Sequence, residues 1–194
     1  MFVYFSLEQV RNRDFRGPDF FVVLNVPRRE HKSWVVWQEG KGPDVVIELL
    51  SESTAALDKG EKKQIYQECL RVPEYFWFDP FSAEWAGFAL QEGVYQPLVP
   101  DAQERLASQR VGLALVRWEG AYQGVSARWL RWATLEGPLL LTGSELAERA
   151  QQQATAAQAQ ATAAQAQATA AQAQATELET LLARYRERFG ELPS

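Results

Sequence analysis

A carboxylate in the middle of an apolar strand is the feature that most limits what this chain can become. Gly42-Pro43-Asp44 opens the run Val45-Val46-Ile47-Glu48-Leu49-Leu50, which ends at Ser51. A short apolar run after Gly-Pro punctuation reads as a strand buried on both faces. Glu48 stands inside it, and burying an uncompensated carboxylate costs on the order of 3 kcal/mol or more. The position therefore requires either a satisfied buried ion pair or a purpose such as a metal. Side chains alternate along a strand, so Asp44, Val46, Glu48 and Leu50 share one face. At about 3.3 Å per residue, Asp44 and Glu48 lie roughly 13 Å apart. They cannot hold one ion together, and Asp44 is read as capping the start of the strand. A second carboxylate for a metal must come from another strand.

Asp19 is the natural candidate, because Gly17-Pro18-Asp19 opens a similar run, Phe20 to Leu24. A cation is offered by the helix that follows the central strand. Asp58 with Glu61 fits an N-cap and its reciprocal acid, which places a helix from Asp58 to about Leu70. Ile65, Tyr66, Cys69 and Leu70 then form one apolar stripe, with Lys62 near its middle and Lys63 at its edge. A lysine centred on a buried stripe either snorkels to water or faces something negative. Cys69 is assigned to the core and Lys63 to solvent. Two carboxylates and a lysine suit metal-assisted phosphodiester hydrolysis. Mg²⁺ or Mn²⁺ takes one or two carboxylates and keeps several waters, while the lysine orients water or stabilises developing charge.

The remaining pattern is rich in strands. Phe2 to Phe5, Trp34 to Trp37 and Glu74 to Phe78 read as strands. Ala86–Leu90 and Val94–Leu98 read as a hairpin joined by Gln91-Glu92-Gly93, and Val111–Val116 and Trp129–Thr134 as two late strands. The early strand–helix–strand unit predicts a sheet with at least one helical cover. Single side chains are read more plainly. His31 is a solvated loop residue, Asp79 before Pro80 a turn former, and Trp118, Trp129 and Trp132 serve packing or a subunit contact rather than base stacking. Arg11, Arg13 and Arg16, and Arg28, Arg29 and Lys32, are local basic clusters of solvated loops.

Composition narrows the class. With 46 % hydrophobic residues the 194-residue chain describes a globular core plus an appendage. One cysteine excludes a disulfide framework and any cysteine-based zinc site. No signal-peptide pattern and no membrane-length apolar run occur, so a soluble, cytoplasmic protein is expected. A net charge of −5 gives no global attraction to nucleic acid.

Four motifs in order carry a resemblance: Gly17-Pro18-Asp19-Phe20-Phe21-Val22-Val23; Pro43 to Thr54; Asp58 with Lys62 and Tyr66; and Val72-Pro73-Glu74-Tyr75-Phe76-Trp77-Phe78-Asp79-Pro80. Together they resemble the bacterial restriction-endonuclease-like proteins of the PD-(D/E)XK nuclease superfamily, over roughly residues 1–142. The resemblance implies a restriction-endonuclease-like α/β fold, with a mixed central sheet flanked by helices. It implies DNA as substrate. Asp19 matches the first metal-binding aspartate and Glu48 the acidic residue of the second motif. The strand lysine expected two residues after Glu48 is Leu50 here, and its role passes to a helix lysine, matched by Lys62. Relatives carry several tens of residues before the first strand, so the chain is expected to be N-terminally incomplete, with one side of the sheet uncovered.

The last quarter is a different object. Ala-Thr-Ala-Ala-Gln-Ala-Gln repeats three times from Ala154 to Gln174. Thr142 with Glu145 is a start signal and Gly190 with Pro193 a stop, which predicts one helix of about 46 residues. The expected division is a nuclease-like domain over 1–141 and a helix over 142–194. Steps of four and three place alanine at every seam position from Ala147 to Ala175, then Leu178, Leu182, Tyr185 and Phe189. This seven-residue spacing predicts a left-handed coiled coil and a homodimer. The competing form is a single exposed helix. Two functions stand side by side: a Mg²⁺-dependent DNA endonuclease, and an inactive nuclease-derived binding or scaffold protein that self-associates through its helix. An acid–base hydrolase of small substrates has no nucleophile–His pair to support it.

Overall fold

The computed structural model describes residues 1–6, 8 and 17–190, so Arg11, Arg13, Arg16 and Pro193 lie outside the described residues. The chain divides into two units, Met1–Leu140 and Leu141–Ser194.

The first unit is built on a five-stranded sheet of order β2-β4-β5-β6-β7. Its strands are β2 (Phe20–Val22), β4 (Val45–Leu49), β5 (Glu74–Phe78), β6 (Trp85–Gln91) and β7 (Val94–Pro97). The apolar run of β4 is central as its composition demands, and Val45, Val46, Ile47 and Glu48 are all buried. It pairs parallel with β5 and antiparallel with β2, which makes the sheet mixed. β2 is an edge strand, and none of its three residues is fully buried. The parallel β4–β5 pair needs a crossover, and the helical segment from Ala55 to Glu68 supplies it. β6 and β7 form the expected hairpin. Its loop is two residues, because Gln91 pairs with Val94. Glu92 and Gly93 both take positive φ, 50° and 86°, the conformation of a two-residue turn that follows the strand twist.

Alternation along β4 sends its residues to two separate cores. On one face Val46 joins Tyr75, Tyr95, Tyr66 and Leu70, together with Val3 and Trp34. Val3 and Trp34 belong to a small parallel pair outside the main sheet, β1 (Phe2–Tyr4) and β3 (Ser33–Val35). The run Trp34 to Trp37 is therefore not all strand: it turns at Val36 into a four-residue helix, α1 (Val36–Glu39). On the other face Val45, Ile47 and Phe76 meet Leu106 and Leu115. These come from a second sheet, β8 (Leu106–Ser108), β9 (Leu113–Tyr122) and β10 (Val125–Thr134). The expected helical cover is present, and the side expected to be uncovered is not: one face takes a helix and the small β1–β3 pair, the other a three-stranded antiparallel sheet. The late strands also run longer than their apolar segments suggested, ten residues each, because cross-strand pairs such as Trp118–Trp129 carry the ladder beyond the core. Trp132 packs on the second core, as a packing role requires.

Within the crossover lie two short helices, α2 (Ala55–Leu57) and α3 (Lys63–Glu68), and the described part of the second unit is one helix, α4 (Gly143–Phe189). Thr142 and Glu145 form the reciprocal capping box and Gly190 closes the helix. Among the described residues no helix is long and apolar enough to cross a membrane.

Candidate active site

The site is assembled by one strand and one helical face. Glu48 lies on the same face of β4 as Val46, toward the helical crossover, and is 1 % exposed. The crossover begins earlier than the sequence suggests. It comprises α2 (Ala55–Leu57), a π-helical turn over Asp58–Lys62 and α3 (Lys63–Glu68). Asp58 is thus inside the helical segment and is not its N-cap. The chain turns instead through Ser51 to Thr54, where Ser51 Oγ and Thr54 Oγ1 lie 3.0 Å apart. The Asp-x-x-Glu spacing imitates a cap. What decides is burial: Asp58 is 1 % exposed, its carboxylate meets Lys62 Nζ at 2.6 Å, and its carbonyl accepts the Tyr75 hydroxyl at 2.8 Å. π-type turns within helices are frequent at functional sites.

Asp58, Lys62 and Tyr66 are spaced by four and therefore stack along one helical face. All three converge on Glu48 or on its partner. The Tyr66 hydroxyl donates to Glu48 Oε1 at 2.6 Å, and Lys62 Nζ stands 3.2 Å from Glu48 Oε2. Burial pushes the Glu48 carboxyl up to about 7; Tyr66 and Lys62 oppose the rise, and the Asp58 charge adds to it. For Lys62 burial works to lower the ammonium, but the bonds to Asp58 and Glu48 outweigh it and leave its pKa raised. The Tyr66 hydroxyl is raised far above its ordinary range, by burial first and then by Glu48.

Asp19 reaches the same place from β2. Its Oδ2 accepts the Leu49 amide at 2.7 Å, which supplies that amide with a side-chain acceptor at the sheet edge. Phe20 pairs with Ile47, so the register continued by one residue sets Asp19 opposite Glu48 on the helix-side face. Directly opposed residues have Cβ atoms about 5 Å apart. Asp19 is exposed while Glu48 is buried, so one carboxylate stands at the mouth and the other at the floor. The Tyr75 hydroxyl is raised above its ordinary range, first by burial and then by the charges of Glu48 and Asp58, with Tyr95 and Asp19 adding to the rise. Asp19 also lines a cleft of about 520 Å³ with Arg28, Arg29, His31 and Trp34.

Hard oxygen donors such as carboxylates are the ligand type a divalent ion of the Mg²⁺ kind requires. The site offers carboxylate oxygens at a partly open edge, and no group of three His, Cys, Asp or Glu is arranged for a metal among the described residues. An ion there would take one or two protein carboxylates, Asp19 and Glu48, and fill its shell with water.

Other single-residue readings divide. Asp44 is more than a strand cap: it is 1 % exposed and accepts the Leu24 amide at 2.7 Å, Lys41 at 2.6 Å and Arg110 at 2.5 Å. Burial alone would raise its carboxyl, but these donors together hold it below the usual range. Lys63 does not point to solvent, since its Nζ lies 3.5 Å from the Phe88 ring centroid. Cys69 is exposed and not core. His31 is not a solvated loop residue; its side chain is 13 % exposed, it contacts Glu39 at 3.4 Å, and its ring packs on Trp34. Asp79 does form a turn, accepting the Phe81 and Ser82 amides. The residues that sequence reasoning left out of the catalytic set are Asp58 and Tyr66. The available signal was the four-residue spacing Asp58, Lys62, Tyr66.

A family model for Uma2, described as putative restriction endonuclease, matches residues 3–118. The chain belongs to the Uma2 family. The matched segment runs from β1 into β9 and contains Asp19, Glu48, Asp58, Lys62 and Tyr66, while β10 and α4 lie beyond it. The Uma2 match supports the restriction-endonuclease-like fold described above and a nuclease-like function. No curated protein matches the chain.

Proposed function

We propose that this Uma2 protein is a Mg²⁺- or Mn²⁺-dependent endonuclease that hydrolyses DNA phosphodiester bonds, acting in the cytoplasm. The observation that carries the reading is Lys62 Nζ held 3.2 Å from Glu48 by the crossover helix, at a strand whose own position 50 is leucine. A divalent ion, when bound, polarises the scissile phosphate and lowers the pKa of a coordinated water. Asp19 and Glu48 are the residues to hold it. Tyr66 fixes one Glu48 oxygen and with it the rotamer of the carboxylate. Lys62 supplies a positive charge beside the reacting phosphate, where it orients the attacking water or stabilises the charge that develops. We also infer that α4 pairs two copies along its alanine seam.

The test is nicking of supercoiled plasmid with Mg²⁺ or Mn²⁺. Glu48→Gln and Lys62→Ala should each lower the rate by at least about 100-fold, the scale for losing one transition-state contact. Lys63→Ala, which leaves the Glu48 contacts intact, should stay within about threefold. Plasmid binding without any metal-dependent nicking would favour the inactive binding protein. Equal losses from Lys62→Ala and Lys63→Ala would reduce Lys62 to a general electrostatic role.

A further inference from the structure

Lys62 has two buried carboxylates to choose between, and it sits closer to the one that was not expected at the site. Its ammonium is 2.6 Å from Asp58 and 3.2 Å from Glu48, and both carboxylates are 1 % exposed. Tyr66 donates to Glu48 Oε1, so a further cation would share Oε2, whose contact to Lys62 is the longer of that ammonium's two ion pairs. A buried lysine with Glu48 as its sole partner would close onto Oε2, because attraction between full charges rises steeply at low dielectric. The pair would then neutralise itself and leave little charge for a metal. Asp58 is well placed to prevent this. It lies one helical turn before Lys62, and its backbone is pinned where the carbonyl accepts the Tyr75 hydroxyl.

Resting on the endonuclease reading, we propose that Asp58 is a positioning residue that shares the Lys62 ammonium with Glu48 and keeps its contact to Oε2 the longer of the two. The second lone pair of Oε2 then stays available to a divalent cation, with the lysine shared between the two carboxylates instead of closed onto Glu48. Asp58 acts through Lys62 and touches neither the ion nor the DNA. Any nearby negative charge would attract a cation directly, so the proposal depends on the effect passing through the lysine.

A double-mutant cycle on Mn²⁺ affinity separates the two routes, with binding followed by the electron paramagnetic resonance signal of free Mn²⁺ on the full chain without DNA. Asp58→Asn should weaken Mn²⁺ binding by about tenfold. Lys62→Met alone should keep or tighten it, and Asp58→Asn added to Lys62→Met should change it by less than about twofold. Asp58→Glu, which retains the charge, should bind within about threefold of the parent. Thermal unfolding checks that each variant folds; if Asp58→Asn does not, the same cycle is run with Asp58→Ser. Equal weakening by Asp58→Asn with and without Lys62 overturns the proposal and leaves the endonuclease reading standing. A parent chain that binds no Mn²⁺ overturns both.

Discussion

Asp44, just before β4, and Glu48, within it, are each 1 % exposed, and their surroundings drive them in opposite directions. Asp44 is met by two cations and a backbone amide, and its pKa is lowered. Glu48 has a tyrosine hydroxyl and a lysine shared with Asp58, and its pKa is raised to about 7. Burial is the same; compensation differs. A buried charge whose donors saturate it holds structure together, and one left short of positive charge remains available to a cation. Asp44 shows the first case: through Arg110 it ties the β8–β9 loop to the start of β4. The same loop is held by Glu74, which accepts the Ser108 hydroxyl and the Gln109 and Arg110 amides. One end of β4 is thus closed by acids that are fully used, and the other end keeps an acid in reserve.

Neutralising each acid should give the largest contrast. Asp44→Asn breaks a compensated buried group and should cost about 3 kcal/mol in urea unfolding at pH 8. Glu48→Gln removes an under-compensated charge and should change stability by less than about 1 kcal/mol, or raise it. Similar costs at both positions would mean that Glu48 is as well compensated as Asp44, and the comparison would collapse.

A smaller effect, on the order of 2 kcal/mol, should appear in the pH dependence of stability. Glu48 has a folded pKa of about 7 against an ordinary 4.5, so between those values the folded chain holds a proton that the unfolded chain has released. Its contribution is full below about 4.5 and is lost as pH rises through about 7. Asp44, with its pKa lowered from 3.8, contributes above that value and loses the contribution as pH falls below it. Unfolding free energies measured between pH 5 and 8 should decline for the parent and decline less for Glu48→Gln. Parallel curves for the two would show that Glu48 ionises normally.

The weakest expected effect extends the contrast between saturated and unsaturated groups to α4. Its threonine hydroxyls are used within the helix, each donating to the carbonyl four residues back, as Thr155 does to Gln151 and Thr176 to Gln172. Its apolar seam is not covered, and Leu178, Leu182, Tyr185 and Phe189 are all exposed. Alanine layers bury little area, so most of the association energy should reside at that larger end. Sedimentation at roughly tens of micromolar should detect a weak dimer that disappears when residues 176–194 are deleted. An intact chain that stays monomeric there would leave α4 a long single helix.

The sequence by itself determined the elements whose signals are local. The apolar run from Val45, the hairpin joined through Gln91-Glu92-Gly93 and the Thr142–Glu145 capping box each lie within a few residues of what they specify, and each is found in place, the hairpin loop one residue shorter. Periodicity was also enough to aim Lys62 at the strand, since a helical face is set by spacing alone. Contacts between distant segments decided the rest. Asp58 reads as a cap until Tyr75, seventeen residues on, takes its carbonyl and Lys62 takes its carboxylate. His31 reads as solvated until Glu39 and Trp34 enclose it. What covers the second face of the sheet is decided only when β8 and β9 bring Leu106 and Leu115 onto Ile47 and Phe76. Propensity and spacing act along the chain, whereas the compensation of a buried charge depends on which segments folding brings beside it. That is why the sequence could place a carboxylate at Glu48 and at Asp44, and only the tertiary structure could make one saturated and the other not.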